Sequence, residues 1–339
     1  MKTFAYLIHP TSQEQLKDFF KTPNIIPAFF AKIILRNIAP FKVFRIHDVR
    51  SIQDRGVSGY FIALPMVLSQ EENDNIFIMD KILAAIGIAE KLGVNLLGLG
   101  GCASLYSDKG FTAIRTAKIP ITSGSVFNAW TVYEAIFRIA KAKGLDLKKS
   151  KLAIIGAASA IGSLSARKFS ECVGRLVINT NSDARIKLEA LREQIMHLGQ
   201  AEVEIETDFT LAVHNADIVI FTDDIPRVSL DIRDLKPQAI ACDASIGKTI
   251  FNRRTERGDV TFINAGLIKM PFQAKFYVNT GLPEKIIPAA LAETILLSLE
   301  EKFVSYSQGA NVNLDKMEEI ADIAARHGFE VWVPEAPLL

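Results

Sequence analysis

Gly156 and Gly162 frame the stretch of this 339-residue chain whose residue types and spacing best suit chemistry, Leu152-Ala-Ile-Ile-Gly156-Ala157-Ala158-Ser159-Ala160-Ile161-Gly162. An apolar strand runs into a turn of small residues and then into a helical run from Ile161 to Cys172. Such a turn lets backbone come close to a pyrophosphate, whose charge is met by the N–H groups and dipole of the following helix. The two glycines fit the ends of a G-x-x-G-x-x-G pattern, with Ser159 at the middle position and Ala158 at the alternative G-x-G position. The pattern is therefore degenerate, and packing alone also produces small-residue turns, so its meaning depends on the elements around it.

Those elements continue the alternation. Arg175–Thr180 reads as a β-branched strand, and Ser182–Leu198 as an amphipathic helix stopped by Gly199. Val203 and Ile205 alternate with glutamates as on an edge strand, Asp208 can cap a short helix, and Ile218–Phe221, Ala239–Asp243 and Val260–Asn264 complete the strand candidates. Strands alternating with helices predict an α/β, doubly wound (Rossmann) parallel sheet. The end of the second strand is where an acidic residue would bind the ribose of NAD, and here stand Asn179, Thr180 and Asn181. No carboxylate there repels a 2′-phosphate, and Arg185 and Lys187 follow on the helix, which favours NADP(H) over NAD(H). Thr222, after the fourth strand, and Asn264-Ala265-Gly266, after the last, join the expected cofactor contacts.

Ahead of this region lies a second α/β unit, the expected substrate domain. Phe4–Ile8 and Val57–Leu64 read as strands, Thr11-Ser-Gln-Glu14 as a capping-box start to a helix through Lys21, and Ile25–Phe44 as an irregular apolar segment. Asp80 is placed to cap a helix ending at Gly93, and Ser125 one ending at Gly144. Val94–Leu99 runs into Gly100-Gly101-Cys102, and Pro120–Thr122 into Ser123-Gly124-Ser125, both at the carboxyl edge where open α/β sheets take substrates. The expected division is residues 1–123 with 283–339 as the substrate domain, 124–150 as a connecting helix and linker, and 151–282 as the dinucleotide domain.

Acid/base candidates are few. His9 follows the first strand, and Asp243 ends the buried strand Ala239–Cys242 with Lys248 beyond it. His327 reads as a helix C-cap, and Asp223-Asp224 as a solvated turn. Cys102 reads either as a small buried hydrophobe or as a thiol activated by backbone N–H groups.

Composition narrows the classes. Near-balanced charge, 39 Lys and Arg against 38 Asp and Glu, excludes a strongly basic nucleic-acid binder. Three cysteines at 102, 172 and 242 without paired spacing point to reduced thiols, a cytoplasmic setting and no metal site. No signal peptide and no apolar run of membrane-spanning length is expected; Lys32, Arg36 and Lys42 interrupt the Ile25–Phe44 segment, leaving peripheral contact as the most a membrane could have.

The order Leu7-Ile8-His9-Pro10-Thr11-Ser12-x-Glu14-Gln15, Leu99-Gly100-Gly101-x-x-Ser104, Thr122-x-Gly124, Ile155-Gly156-Ala157-x-x-x-Ile161-Gly162, Lys316-Met317-Glu318 and Arg326-His327-Gly328-Phe329 resembles the cyanobacterial long-chain acyl-[acyl-carrier-protein] reductases across nearly the whole chain. The resemblance implies an NADPH-dependent reduction of a fatty acyl thioester, a small molecule or one carried by an acyl carrier protein, to an aldehyde through a cysteine thioester. It places that cysteine ahead of an Ala-Glu pair on a late helix, where this chain has Ala290 before Leu291-Ala292-Glu293. A methyl group forms no thioester. Three readings stay open: a nucleophile moved to Cys102; direct hydride transfer, as in amino- and hydroxy-acid dehydrogenases, needing an acid/base group only; or a non-catalytic paralogue that binds a dinucleotide or acyl chain.

Overall fold

The computed structural model describes residues 2–10, 37–66, 75–104, 117–180, 184–198, 201–222, 232–245, 258–274, 276, 282–308 and 312–333. The chain divides into two compact units, one of residues 1–124, 268–311 and 320–330, the other of 125–267, 312–319 and 331–339.

In the first unit, β1 (Thr3–Ile8), β2 (Phe41–Arg50) and β3 (Gly56–Ala63) are followed by helix α1 (Asn75–Lys91), then β4 (Leu96–Leu99) and β5 (Ile121–Thr122). They form a five-stranded sheet in the order β2-β3-β1-β4-β5, parallel except for β2, which runs antiparallel to β3 with two register shifts. The strand β2 departs from the sequence reading, which ran an irregular segment through Phe44. Helix α1 also begins earlier than expected: Asp80 lies within it, because Ile78 already belongs to its buried face. The capping box at 11–14 and the apolar segment from Ile25 up to residue 36 lie outside the described residues.

In the second unit, helix α2 (Ser125–Ala142) precedes β6 (Lys151–Ile155), α3 (Ala160–Phe169), β7 (Arg175–Asn179), α4 (Arg185–Leu198), β8 (Glu202–Ile205), α5 (Phe209–Val213), β9 (Ile218–Phe221), β10 (Ile240–Asp243) and β11 (Thr261–Asn264). All six strands are parallel, in the order β11-β10-β9-β6-β7-β8. Strand order reverses between β6 and β9, which is the doubly wound Rossmann arrangement with its switch point at the carboxyl end of β6. The central strands are buried on both faces, as the unbroken runs Leu152–Ile155 and Ile218–Phe221 require. Asp208 caps α5 by accepting from the Leu211 N–H at 2.9 Å.

The chain then forms β12 (Leu267–Lys269), β13 (Ile286–Pro288), helix α6 (Ala289–Leu299), helix α7 (Leu314–His327) and β14 (Glu330–Val331); the three strands make a small sheet in the order β13-β12-β14. All eleven residues of α6 are buried. A helix buried on every side is enclosed by packing, and glycines make the enclosure close: a Cβ on Gly98 would lie 2.1 Å from Thr294 Oγ1, so the Thr294 side chain of α6 takes the space that a β4 side chain would need. Among the described residues no helix is long and apolar enough to cross a membrane.

Candidate functional site

In the second unit the turn between β6 and α3 is held tightly while leaving backbone N–H groups open. Gly156 sits at φ +84°, in the left-handed region that favours glycine. Gly162 is needed for a different reason, since a Cβ there would lie 2.4 Å from the Gly156 carbonyl oxygen and only glycine lets the helix pass this close to the strand end. Ser159 caps α3, its hydroxyl accepting the Gly162 N–H at 2.9 Å. The N–H groups of Gly156 and Ala157 both donate to the Asn179 carbonyl, at 3.0 and 2.9 Å. What remains for a ligand is the N–H of Ala158 and, at the open start of the helix, those of Ala160 and Ile161, none of which has a partner among the described residues. The methyl group of Ala158 stands on this accessible lip.

Most of the other residues singled out from sequence are engaged by the protein itself. Thr222 is fully buried; its hydroxyl lies 2.7 Å from the Gly156 carbonyl and 3.1 Å from that of Ile155 and accepts from Ser159 Oγ at 2.9 Å, so it pins the turn. Asn179 donates its amide to the Glu206 carbonyl at 2.6 Å, which commits the side chain to the end of β8. Thr180 keeps a buried hydroxyl with no partner among the described residues. Arg185 starts α4, largely exposed, 3.7 Å from Glu189. Asn181, Asp223, Asp224 and Lys248 lie outside the described residues. At Asn264-Ala265-Gly266, the Ala265 N–H donates to the Asp243 carbonyl at 3.0 Å and the Gly266 N–H to Thr131 Oγ1 at 2.9 Å, so the backbone donors of that turn serve the protein itself. Asp243 is buried and accepts from the Ser245 N–H at 3.0 Å and hydroxyl at 2.5 Å. Burial first, then Asp243, pushes the Cys242 thiol far up, which leaves it inert.

In the first unit, small residues at the strand ends are filled from within. His9 is buried, with Nδ1 3.1 Å from the Pro10 carbonyl and Nε2 3.2 Å from that of Gly100; a Cβ on Gly101 would strike that ring. Burial pulls the imidazole below its ordinary range, against the two carbonyls that raise it. Cys102 opens the helical stretch 102–104 directly after Gly101 and is buried. His327, at the end of α7, bonds Glu300 Oε1 through Nε2 at 2.8 Å, while its buried Nδ1 has no partner among the described residues.

Ala290 belongs to the first turn of α6 and, at 8% exposure, is the residue through which that helix comes nearest the outside. Gly124, at φ +81°, lies directly on it: a Cβ there would fall 2.3 Å from the Ala290 Cα. Three residues on, Glu293 is fully buried, its carboxylate held by the hydroxyls of Thr122 and Ser307. Sequence reasoning used Glu293 only as a landmark. The signal for it was present, since a lone carboxylate in the run Ile286–Leu299 demands buried partners. Among the described residues no group of three or more His, Cys, Asp or Glu side chains is arranged to hold a metal ion.

No protein-family model matches the chain. It is 24% identical to the long-chain acyl-[acyl-carrier-protein] reductase of Synechococcus elongatus, over 96% of this chain and 98% of that protein. The chain is a divergent relative of that reductase. It is also 23% identical to the aminotransferase PigE of a Serratia strain, over 97% of this chain but only 39% of that protein. Among solved structures it is similar to shikimate 5-dehydrogenase from Listeria monocytogenes, with a TM-score of 0.39 and 11% identity over 95% of this chain and 96% of that one. It is similar also to L-tryptophan dehydrogenase from Nostoc punctiforme, with a TM-score of 0.33 and 16% identity over 72% and 62%. These two likenesses are too loose to carry a functional argument.

Proposed function

We propose that this protein is a nicotinamide-dinucleotide-dependent oxidoreductase acting on the carbonyl of a fatty acyl thioester or aldehyde, with NADP(H) preferred over NAD(H). The observation that carries the reading is the turn at the sheet's switch point, with three unpartnered N–H groups at the start of α3. Full-length similarity to a protein named as a reductase supports it. Ala158, Ala160 and Ile161 would hold the pyrophosphate, and the orphaned hydroxyl of Thr180 suits a ribose or its phosphate. A bound nicotinamide dinucleotide supplies a hydride equivalent. The chain's own part is to seat the carbonyl and shed water. Ala290 offers no nucleophile, so the reading favours transfer directly onto the carbonyl, and an acyl-carrier-bound substrate in the cytoplasm remains part of the proposal. The same methyl group favours one other reading, a paralogue that binds dinucleotide and acyl chain without turnover.

Fluorescence titration with NADPH and NADH, then nucleotide consumption with long-chain acyl thioesters and aldehydes, tests this. Binding and turnover are expected; binding without turnover on either class supports the paralogue, and no binding of either nucleotide overturns both. Arg185→Ala should narrow the preference for NADPH by the lower end of about 1.5–3 kcal/mol, because the guanidinium is exposed. Affinity should rise with chain length, by about 0.8 kcal/mol per buried methylene, and a flat series removes the fatty substrate.

A further inference from the structure

A carboxylate enclosed in an apolar helix is costly unless donors meet it, and around Glu293 the hydroxyl protons of its partners point at the carboxylate. The Thr122 hydroxyl donates to Glu293 Oε1 and accepts the Ser307 N–H at 3.2 Å. The Ser307 hydroxyl lies 2.7 and 2.8 Å from the two carboxylate oxygens. Such an arrangement serves the ionised acid. The segment that supplies Ser307 is laced to β5: Ser123 donates its N–H and hydroxyl to the Ser307 carbonyl at 3.2 and 2.6 Å, and Gln308 donates to that of Ile121 at 2.5 Å. Thr122 is thus drawn onto Glu293 while Gly124, two residues on, lies on Ala290, one helical turn before Glu293. Among the described residues the Tyr6 side chain feels that charge, its phenol held far up by burial first and by Glu293 second.

We propose that Glu293 is a buried anion that positions Thr122–Gly124 on the first turn of α6 and makes the site at Ala290 accept neutral carbonyl groups in preference to carboxylates. This deepens the reading above, on which it rests for the arrival of a carbonyl at Ala290, and it sets aldehydes, esters and thioesters apart from 2-oxo and hydroxy acids. Side chains three apart on a helix are neighbours, about 5–6 Å between Cβ atoms, and at that range a full charge outweighs the fractional charge of a helix terminus.

The test uses the full chain carrying Ala290→Cys, alkylated by neutral iodoacetamide or anionic iodoacetate, with the modified position located by peptide mass. The rate ratio of the two reagents at residue 290 should shift toward iodoacetate by about tenfold when Glu293→Gln is added, and Thr122→Ser should leave the ratio unchanged. An unchanged ratio with normal labelling overturns the role of Glu293 alone. No labelling at residue 290 by either reagent overturns the placing of substrate there and this proposal with it. Should Glu293→Gln fail to fold, the infrared spectrum of the unaltered protein at neutral pH decides: a protonated, water-excluded carboxylic acid band that Glu293→Asp displaces overturns the proposal, and its absence upholds it.

Discussion

The two units place small residues in the same way, at the carboxyl ends of parallel strands, and use them for opposite ends. In the second unit Gly156 and Gly162 clear space so that backbone N–H groups stay open at the start of α3. In the first, the space beside Gly98, Gly101 and Gly124 is taken by Thr294, His9 and Ala290 of the same unit. A glycine after a parallel strand therefore marks close approach, and what approaches, ligand or protein, depends on partners far away in the sequence.

Substitutions at these glycines break the comparison most sharply. Gly124→Ala combines a positive φ with overlap onto the Ala290 backbone, which has no flexible end to yield, and should cost more than about 3 kcal/mol of stability by denaturant unfolding. Tolerance of that change would mean the loop does not lie on α6. Gly162→Ala meets the Gly156 carbonyl and Ala157 Cα; a loss of about 1–3 kcal/mol is expected, together with weakened nucleotide binding, whereas Gly124→Ala should leave nucleotide affinity of the folded fraction intact. Ser159→Ala removes a cap from the same helix and should cost about 1 kcal/mol, read as a lowered unfolding midpoint.

The smallest effect separates the units by pH. His9 and His327, both in the first unit, have imidazoles pulled below the ordinary value of 6.5, in each case by burial first. The unfolded chain then takes up protons near pH 6.5 while the folded chain resists, so stability is full above that value and falls as the pH drops below it. Glu300, held below its ordinary 4.5 chiefly through the bond and charge of His327 against a burial penalty, adds stability that is lost further into acid. His327→Gln should flatten the upper part of the profile, and an unchanged slope between pH 6.5 and 5 would locate the acid sensitivity elsewhere.

Much of the second unit was legible in sequence because its strands are short, β-branched apolar runs with polar turns between, and shortness and flanking turns, not period, distinguish those from helices. Strand β2 was not, since its register shifts between Lys42 and Arg45 and between Ile46 and Val49 break the two-residue alternation that identifies a strand. Strand β13 is three residues ending in Pro288 and merges with the helix that follows. Around the candidate site, residue types named Gly156, Ser159 and Gly162 but could not say that Thr222 and Asn179 brace the turn. Thr222 meets the Gly156 carbonyl from 66 residues away, and the Asn179 carbonyl receives the turn's N–H groups from the end of the neighbouring strand β7. Glu293 needed the same long-range knowledge, with Thr122 lying 171 residues earlier.

The Asn179 carbonyl, receiving the N–H groups of both Gly156 and Ala157, has a kinetic consequence. The turn is braced by protein alone, so its two amides should exchange with deuterium slowly before any nucleotide is added, while those of Ala158 and Ala160 exchange fast and slow down on binding. Association then has little backbone left to order, and the on-rate should approach that of a rigid cleft rather than of a loop that must first settle.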